Sequence, residues 1–376
     1  MASSANSPDR NTAVAEFDAL SADKSIDDDS NYQWLVAERP VGNVKPSDFR
    51  WHKTSIPTPA DGEVLLKTLY LGLAPVMRFY MQGTGAAGER VLQPGDVIHG
   101  RGVAEVVQSR HPDYQEGDIV QGQIGWQTYK TSTLSSGEKF FRMPPNGLPA
   151  ALGAGVLGMT GLSAYAGYVV CGSPRDNETM VLSGAAGGVG SLVAQMAANV
   201  FGATVTGIAG GVEKCRFIEE LGCQQSIDYL ASDVGERLDH YVPDGMDLYF
   251  DNVGGEILEA CLERLRMNAR VVLCGSISEY ARDVPFKLSN YTRLRRSDAA
   301  MRGFFVYNHL DRWQQCMESL AGWIHDGKLK PVQDIEVGFQ HMPKALAKLY
   351  YGGNVGVQCC SVRGEPTSWS TTTPIT

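Results

Sequence analysis

The sequence predicts an α/β protein in which a doubly wound parallel sheet stands beside a second, mainly antiparallel and barrel-like lobe. Three observations predict it. From about residue 154 onward, apolar strand-like runs alternate with helical stripes, the pattern of a parallel sheet covered on both faces. Between 33 and 149, short strand-like runs are instead separated by turn residues, as in antiparallel strands. Finally, a glycine-rich turn joins the first strand and first helix of the alternating half.

Size and charge bound the answer. A chain of 376 residues suits two domains. The net charge of −9 is uneven: residues 1–30 hold seven acids against Arg10 and Lys24. Val14, Phe17, Leu20 and Ile26 are too scattered there to make a face, so 1–30 reads as a disordered acidic tail. With no basic stripe, a nucleic-acid partner is not expected. Glycine is abundant, 42 residues, without a short-period repeat. That excess points to turns and to backbone approaching a ligand.

The first lobe is expected over 31–153. Residues 62–70, 103–107 and 118–120 read as strands, punctuated by Pro94-Gly95-Asp96 and Glu116-Gly117-Asp118. The second domain is expected over 154–333. Its first strand is 179–183, followed by a helix whose stripe is Val189, Leu192, Val193, Met196, Ala197 and Val200. The next strand is 204–208, then a helix through Leu221 that Gly222 closes. Residues 226–228, 247–250 and 270–274 read as three more strands, and 310–325 as a helix. A last strand and helix over 335–350 would return to the first lobe, placing 334–362 with it. Residues 363–376, rich in Ser, Thr and Pro, read as a flexible tail.

Two stretches, 143–174 and 179–212, carry no charge. Glycine and proline interrupt both, so elements buried in a parallel sheet are expected and membrane spans are not. The eight cysteines form no C-x-x-C pair and read as buried small hydrophobes of a reducing compartment. With no secretory signal visible, a cytoplasmic protein is expected.

The glycine turn is Gly184-Ala185-Ala186-Gly187-Gly188-Val189-Gly190, spaced G-x-x-G-x-x-G. Its glycines allow a tight turn and close approach to a pyrophosphate, and the helix N-terminus offers unpaired N–H groups. Its place between a strand and an amphipathic helix is the context that a dinucleotide site requires. An NAD site places an acid at the tip of the second strand. Here that tip reads Ala209-Gly210-Gly211, with Lys214 and Arg216 close behind and Glu213 between. Cations without an acid at the tip suit a 2′-phosphate, so NADP(H) is the expected cofactor.

Taken together, the segments resemble the zinc-independent medium-chain dehydrogenase/reductase superfamily, in its branch of NADPH-dependent alkenal/one (double-bond) reductases. The resemblance runs from about Gln33 to Val362 and includes Trp34-Leu35-Val36-Ala37-Glu38-Arg39-Pro40-Val41-Gly42 and His111-Pro112-Asp113-Tyr114 with Gly117-Asp118. It continues through Leu157-Gly158-Met159-Thr160-Gly161-Leu162-Ser163-Ala164-Tyr165, the glycine turn, Asp251-Asn252-Val253-Gly254-Gly255 and Cys274-Gly275-Ser276-Ile277-Ser278-Glu279-Tyr280. It implies a Rossmann domain, a GroES-like β-barrel lobe and a homodimer. It also implies that Ala186, Gly187, Gly188, Val189 and Gly190 hold the pyrophosphate, and Lys214 with Tyr229 the 2′-phosphate. Asn252, Cys274, Gly275, Ser276, Tyr280, Phe304, Phe305, Val306 and Asn354 would line the rest of the cofactor. Val76, Met77, Arg78 and Met159 would lie near the substrate.

The sequence departs from that pattern twice. The usual D-P-Y-M-R-G-R-M appears as Ala74-Pro75-Val76-Met77-Arg78-Phe79-Tyr80-Met81. The usual G-D-N-x-G-K appears as Gly352-Gly353-Asn354-Val355-Gly356-Val357.

Reducing an α,β-unsaturated carbonyl requires a hydride at the β-carbon and stabilisation of the developing enolate. A phenol, with its ordinary pKa near ~10, can donate to that oxygen at neutral pH. Tyr280 follows the last expected sheet strand, on the edge that borders the ligand crevice of open α/β sheets. With the resemblance, it is the expected catalytic residue. No zinc is expected, because no cysteine precedes Cys171 and His99 has no adjacent acid. Ser183 and Ser191 lack a G-x-S-x-G context, and Asp27-Asp28-Asp29 reads as solvated. The expected function is NADPH-dependent reduction of the carbon–carbon double bond of enals and enones. The alternatives are quinone reduction and a non-catalytic NADPH-binding protein.

Overall fold

The computed structural model describes residues 10–83, 90–143, 147–282 and 284–364. In chain order it begins with α1 (Arg10–Ser21), β1 (Asn31–Val36), β2 (Phe49–Thr54), β3 (Val64–Gly72) and α2 (Met77–Gln82). Next come β4 (Arg101–Ser109), β5 (Ile119–Gln123), β6 (Tyr129–Ser132), β7 (Phe141–Arg142), α3 (Met159–Tyr165), β8 (Thr179–Ser183) and α4 (Gly188–Gln195). The alternation continues with β9 (Thr204–Ala209), α5 (Val212–Glu220), β10 (Gln225–Asp228), α6 (Val234–Tyr241), β11 (Met246–Asp251), α7 (Gly255–Leu262) and β12 (Leu265–Leu273). The chain ends with α8 (Arg293–Arg296), β13 (Ala300–Gly303), α9 (Trp313–His325), β14 (Gln333–Val337), α10 (Met342–Tyr350) and β15 (Val357–Ser361). It divides into two compact units. The described part of the first is 10–154 with 335–354 and 358–364, and the second is 155–334 with 355–357.

In the second unit six strands form one sheet in the order β10-β9-β8-β11-β12-β13, every neighbouring pair parallel. The chain reverses its direction of travel between β8 and β11, the switch point at whose carboxyl side ligands lodge in such sheets. The missing charge of 179–212 is explained here. Met180, Val181, Leu182 and Ser183 of β8 are buried, as are Leu192, Val193, Met196 and Ala197 on the helix that covers it. Gly222 closes α5 at φ +117°, with Cys223 N–H donating to Ile218 O at 3.0 Å. Among the described residues no helix is long and apolar enough to cross a membrane.

The first unit is antiparallel. β3 pairs with β4, β6 and β15, and β4 leads through β5 to β7. β1 and β2 form a separate antiparallel pair. Its core gathers Trp34, Phe49 and Trp126, and the Trp34 indole donates to Phe339 O at 3.0 Å.

Residues 10–30 differ from the disordered tail expected for 1–30. They contain α1, and Phe17 is 2% exposed, edge-on to Phe49 at 6.2 Å. The scattered apolar residues need no complete face of their own, because the first unit supplies the other side: Leu20 and Ile26 also pack on its core. The acids find partners rather than solvent alone. Asp18 pairs with Lys344 at 2.7 Å, Asp27 with Lys53 at 3.2 Å, and Asp28 with Lys67 at 3.0 Å and Arg363 at 2.7 Å. Residues 1–9 and 365–376 of the two expected tails lie outside the described residues.

Candidate active site

The site is built where strands of the second unit end. After β8 the chain turns through Gly184, at φ +59°, into α4. Gly187 stands at the N-cap without a side-chain cap, and its N–H donates to Gly184 O at 3.0 Å. A Cβ on Gly190 would lie 2.1 Å from Gly184 O, so only glycine lets helix and strand pack this closely. Ala186 O accepts the Gly356 N–H at 2.8 Å, which ties the turn to 355–357. The first-turn N–H groups of Gly188, Val189 and Gly190 therefore point out of the positive end of α4 without a side-chain cap. This fits a diphosphate.

At the neighbouring strand tip, Ala209 leads into Gly210 and Gly211. The Tyr229 ring packs on Gly210, where a Cβ would come within 2.8 Å of it, and Tyr229 is 47% exposed. Gly211, at φ +91°, opens α5, and a Cβ there would meet nothing within 4 Å. Lys214 sits half-buried in the first turn of α5. Glu213 is exposed and pairs with Arg216 at 3.3 Å, so Arg216 is engaged along the helix. The nearest strand-end acid, Asp228, uses Oδ1 to accept from Gly211 N at 2.8 Å and Leu230 N at 3.0 Å. A lysine and a phenol beside an open glycine floor fit a 2′-phosphate.

A buried aspartate joins β8 to β11 through its carboxylate and to the end of β12 through its backbone carbonyl. Asp251 is 1% exposed, and its Oδ1 accepts from Ser183 Oγ at 2.8 Å, Tyr249 Oη at 2.7 Å, and the N–H groups of Val253 and Gly254 at 3.0 Å each. Ser183 Oγ in turn accepts Asn252 N–H at 2.9 Å, and Asn252 Nδ2 donates to Ser183 O at 2.8 Å. Asp251 O accepts from Cys274 N at 2.8 Å and Gly275 N at 3.1 Å. Burial, and then the Asp251 carboxylate, push the Tyr249 phenol well above its ordinary value. That keeps its proton in place as a donor.

The loop after β12 carries Ser276 through a 3₁₀ turn, 277–279, to Tyr280. Ser278 fastens it, donating from Oγ to Val253 O at 2.7 Å. The Tyr280 hydroxyl accepts the Ser276 N–H over a long 3.4 Å. Burial raises the Tyr280 pKa, so the phenol stays protonated. A cavity of about 350 Å³ opens beside it, walled by Leu258, Leu273, Phe286 and Leu288, with Asp251 at its base.

The expected site residues thus fall into groups. Ala186–Gly190, Lys214 and Tyr229 line the carboxyl ends of β8, β9 and β10, while Asn252, Cys274, Gly275, Ser276 and Tyr280 follow β11 and β12. Phe304, Phe305 and Val306 follow β13 and are half-buried; the Phe304 ring lies against Gly167, and Phe305 stacks on Tyr307 at 5.2 Å. Met159 opens α3 and is half-buried. Val76 to Arg78 and Asn354 belong to the first unit. There, Met77 and Arg78 are 5% and 4% exposed, with Arg78 Nε donating to Gly42 O at 2.5 Å. Both side chains are buried in that unit, while Val76 keeps a half-exposed surface.

Sequence reasoning missed Ser183, Asp228 and Asp251 as organisers of the site. The available signal was a small polar or acidic residue ending each of three strands. Among the described residues, no three His, Cys, Asp or Glu side chains group in a way that could hold a metal ion.

Comparison with known proteins agrees with this construction. Residues 32–142 match the family described as the N-terminal domain of oxidoreductase, and residues 188–322 match the one described as zinc-binding dehydrogenase. The NADPH-dependent curcumin reductase of Escherichia coli is 36% identical over 345 residues, covering 89% of this chain and 98% of that protein. The NADP(+)-dependent 2-alkenal reductase of Nicotiana tabacum is 33% identical over 341 residues, with the same coverage of both chains. The crystal structure of CurA from Vibrio vulnificus in complex with NADPH superposes with a TM-score of 0.82 at 32% identity, over 89% of this chain and 100% of that one. The chain belongs to the medium-chain dehydrogenase/reductase superfamily, in the branch that holds the alkenal/one double-bond reductases.

Proposed function

We propose that the protein reduces the carbon–carbon double bond of α,β-unsaturated aldehydes and ketones with NADPH. The observation that carries this reading is the Asp251 network. One buried residue holds three segments in a single frame: the Asp251 carboxylate takes the glycine turn's strand and the Asn252 loop, and its backbone carbonyl takes the start of the Tyr280 loop. A diphosphate cradle and a protonated phenol are thereby held on one rigid support, and the named activities of the reductases above point the same way.

In this reading the N–H groups of Gly188 to Gly190 bind the diphosphate, while Lys214 and Tyr229 select the 2′-phosphate. Asn252, Cys274 to Ser276, Phe304 to Val306 and Asn354 bound the remainder. When bound, the reduced coenzyme supplies a hydride to the substrate β-carbon. Tyr280 donates to the carbonyl oxygen as negative charge builds there, and its raised pKa keeps that donor protonated. The family resemblance further assigns Val76, Met77, Arg78 and Met159 to the substrate. No zinc is assigned a role in this reading, because no cysteine precedes Cys171.

We also infer a homodimer and a cytoplasmic setting. All four residues of β13, at the open end of the parallel sheet, are exposed, which supports pairing with a second copy. Eight free thiols, seven of them buried, suit a reducing compartment.

Following nicotinamide absorbance with enals, enones and quinones, and identifying each product, tests the reading. A saturated ketone from an enone supports it. A hydroquinone as the sole product would favour quinone reduction instead.

A further inference from the structure

We propose that Tyr350 is a positioning residue for the substrate wall, and that α1 braces the helix carrying it. This rests on the reading above, in which Val76 faces the substrate.

The argument starts from α2. A helix of six residues is too short to hold itself together in water. Val76, at its N-cap, provides no side-chain cap. The place of the 74–82 segment is therefore set from outside. Five side chains anchor it, all in the first unit. Met77 and Met81 are buried in its core. Arg78 Nε reaches Gly42 O at 2.5 Å, and Gln82 Nε2 reaches Pro40 O at 3.0 Å. At the entry to the helix, the Tyr350 hydroxyl donates to Pro75 O. That carbonyl is otherwise bonded only loosely along the chain, by Arg78 N at 3.4 Å. Tyr350 is thus the anchor next to Val76.

The phenol can act this way because its own helix is fixed. α10 buries Met342, Ala345, Leu346 and Leu349 in the core of the first unit, which leaves Tyr350 half-buried at its last turn. α1 lies against the same helix. Asp18 pairs with Lys344 at 2.7 Å, and Phe17 enters the core beside Phe49. The adjacent Tyr351 is pushed up chiefly by burial, then by the Glu16 carboxylate of α1, against a hydrogen bond to Asn43. Asn43 neighbours Gly42, the acceptor of Arg78. So α1 bears on the Pro75 end through α10, whose neighbour Tyr351 bonds Asn43 beside the acceptor of Arg78.

Tyr350→Phe keeps the ring and the helix and removes only the hydroxyl, so it is the direct test, with full-length enzyme throughout. Loss of one buried hydrogen bond should raise the enone KM about fivefold. The Kd for NADPH, whose phosphates are held by the second unit in this reading, should stay within about twofold. Lys344→Ala should move the enone KM in the same direction by less. Hydrogen–deuterium exchange of the unliganded variant should show faster exchange at 77–82 and unchanged exchange in β3 and β4. That second readout does not depend on turnover. If the wild type reduces no enal or enone, the reductase reading falls, yet exchange still decides whether Tyr350 holds the segment. Unchanged exchange at 77–82, or an unchanged enone KM in an active variant, overturns the proposal.

Discussion

Ser183 and Asp251 stand at the ends of adjacent parallel strands, and the Ser183 hydroxyl donates to the Asp251 carboxylate at 2.8 Å. The same serine oxygen accepts the Asn252 N–H, so β8 and β11 are locked at the switch point of the sheet. Asp251 has no cation beside it in this network; its charge is held by hydroxyl and N–H donors. Asp251→Ala would leave several buried donors unsatisfied, each costing about 1–3 kcal/mol. We expect a loss of about 3 kcal/mol in denaturant unfolding and weaker NADPH binding. A midpoint unchanged from wild type would contradict the role.

Gly190 tests the cradle by sterics. The added methyl of Gly190→Ala would meet Gly184 O at 2.1 Å, so α4 must shift off β8. The expected cost is about 2 kcal/mol of stability, as for other overpacked sites, with NADPH affinity falling about tenfold or more. Gly202→Ala, at φ +69° in open space, is the control for backbone strain alone. If both variants bind NADPH equally well, the close packing at Gly190 does not shape the cradle.

Coenzyme choice should depend on Lys214. A charged hydrogen-bond partner contributes about 1.5–3 kcal/mol. Lys214→Ala is therefore expected to raise the NADPH KM about tenfold or more and leave that for NADH nearly unchanged. Parallel effects on both coenzymes would remove Lys214 from the 2′-phosphate.

Tyr280→Phe should lower kcat by about 10²-fold, the usual effect of removing one donor to a developing oxyanion, with little change in NADPH affinity. Because burial raises the phenol's pKa, the donor stays protonated below and somewhat beyond ~10. The sign for folding is the same. The stability linked to this group is present below the unfolded value and is lost as pH rises through the higher folded one. Rates should therefore show no loss from this group up to about pH 9. A fall in kcat centred near neutrality, present in wild type and absent in Tyr280→Phe, would contradict the assignment.

The thiols should be slow. Desolvation, then the Asp251 carboxylate, push Cys274 up to about 12, although the residue keeps some surface. Cys223 is pushed to a similar value by burial. Iodoacetamide at neutral pH should leave native enzyme unmodified over minutes and modify it rapidly in urea. Stoichiometric labelling of Cys274 in the native protein would be the opposing result.

Much of the second unit was legible because its residues have few alternatives. An uncharged run such as Thr179–Ser183, bounded by glycine, suits a strand buried on both faces. Gly222 could be assigned as a helix end because glycine adopts φ +117° without strain. α1 was not legible: Phe17 and Leu20 alone make no face, and the surface that completes one comes from Phe49 and from α10 near the other end of the chain. The directions of Met77 and Arg78 were hidden for a related reason, since neighbouring residues of a short helix divide between core and surface only once the rest of the unit is in place. Asp251 was quoted as part of a family segment, but nothing local indicates that a strand-end acid will turn inward to collect hydroxyl and N–H donors.

The most direct measurement follows the label from the transferring position of stereospecifically deuterated NADPH into the product of a linear enone. The account predicts a saturated ketone carrying deuterium on its β-carbon. Deuterium on a carbinol carbon, giving an allylic alcohol, or recovery of unlabelled enone from enzyme that binds NADPH, would contradict it.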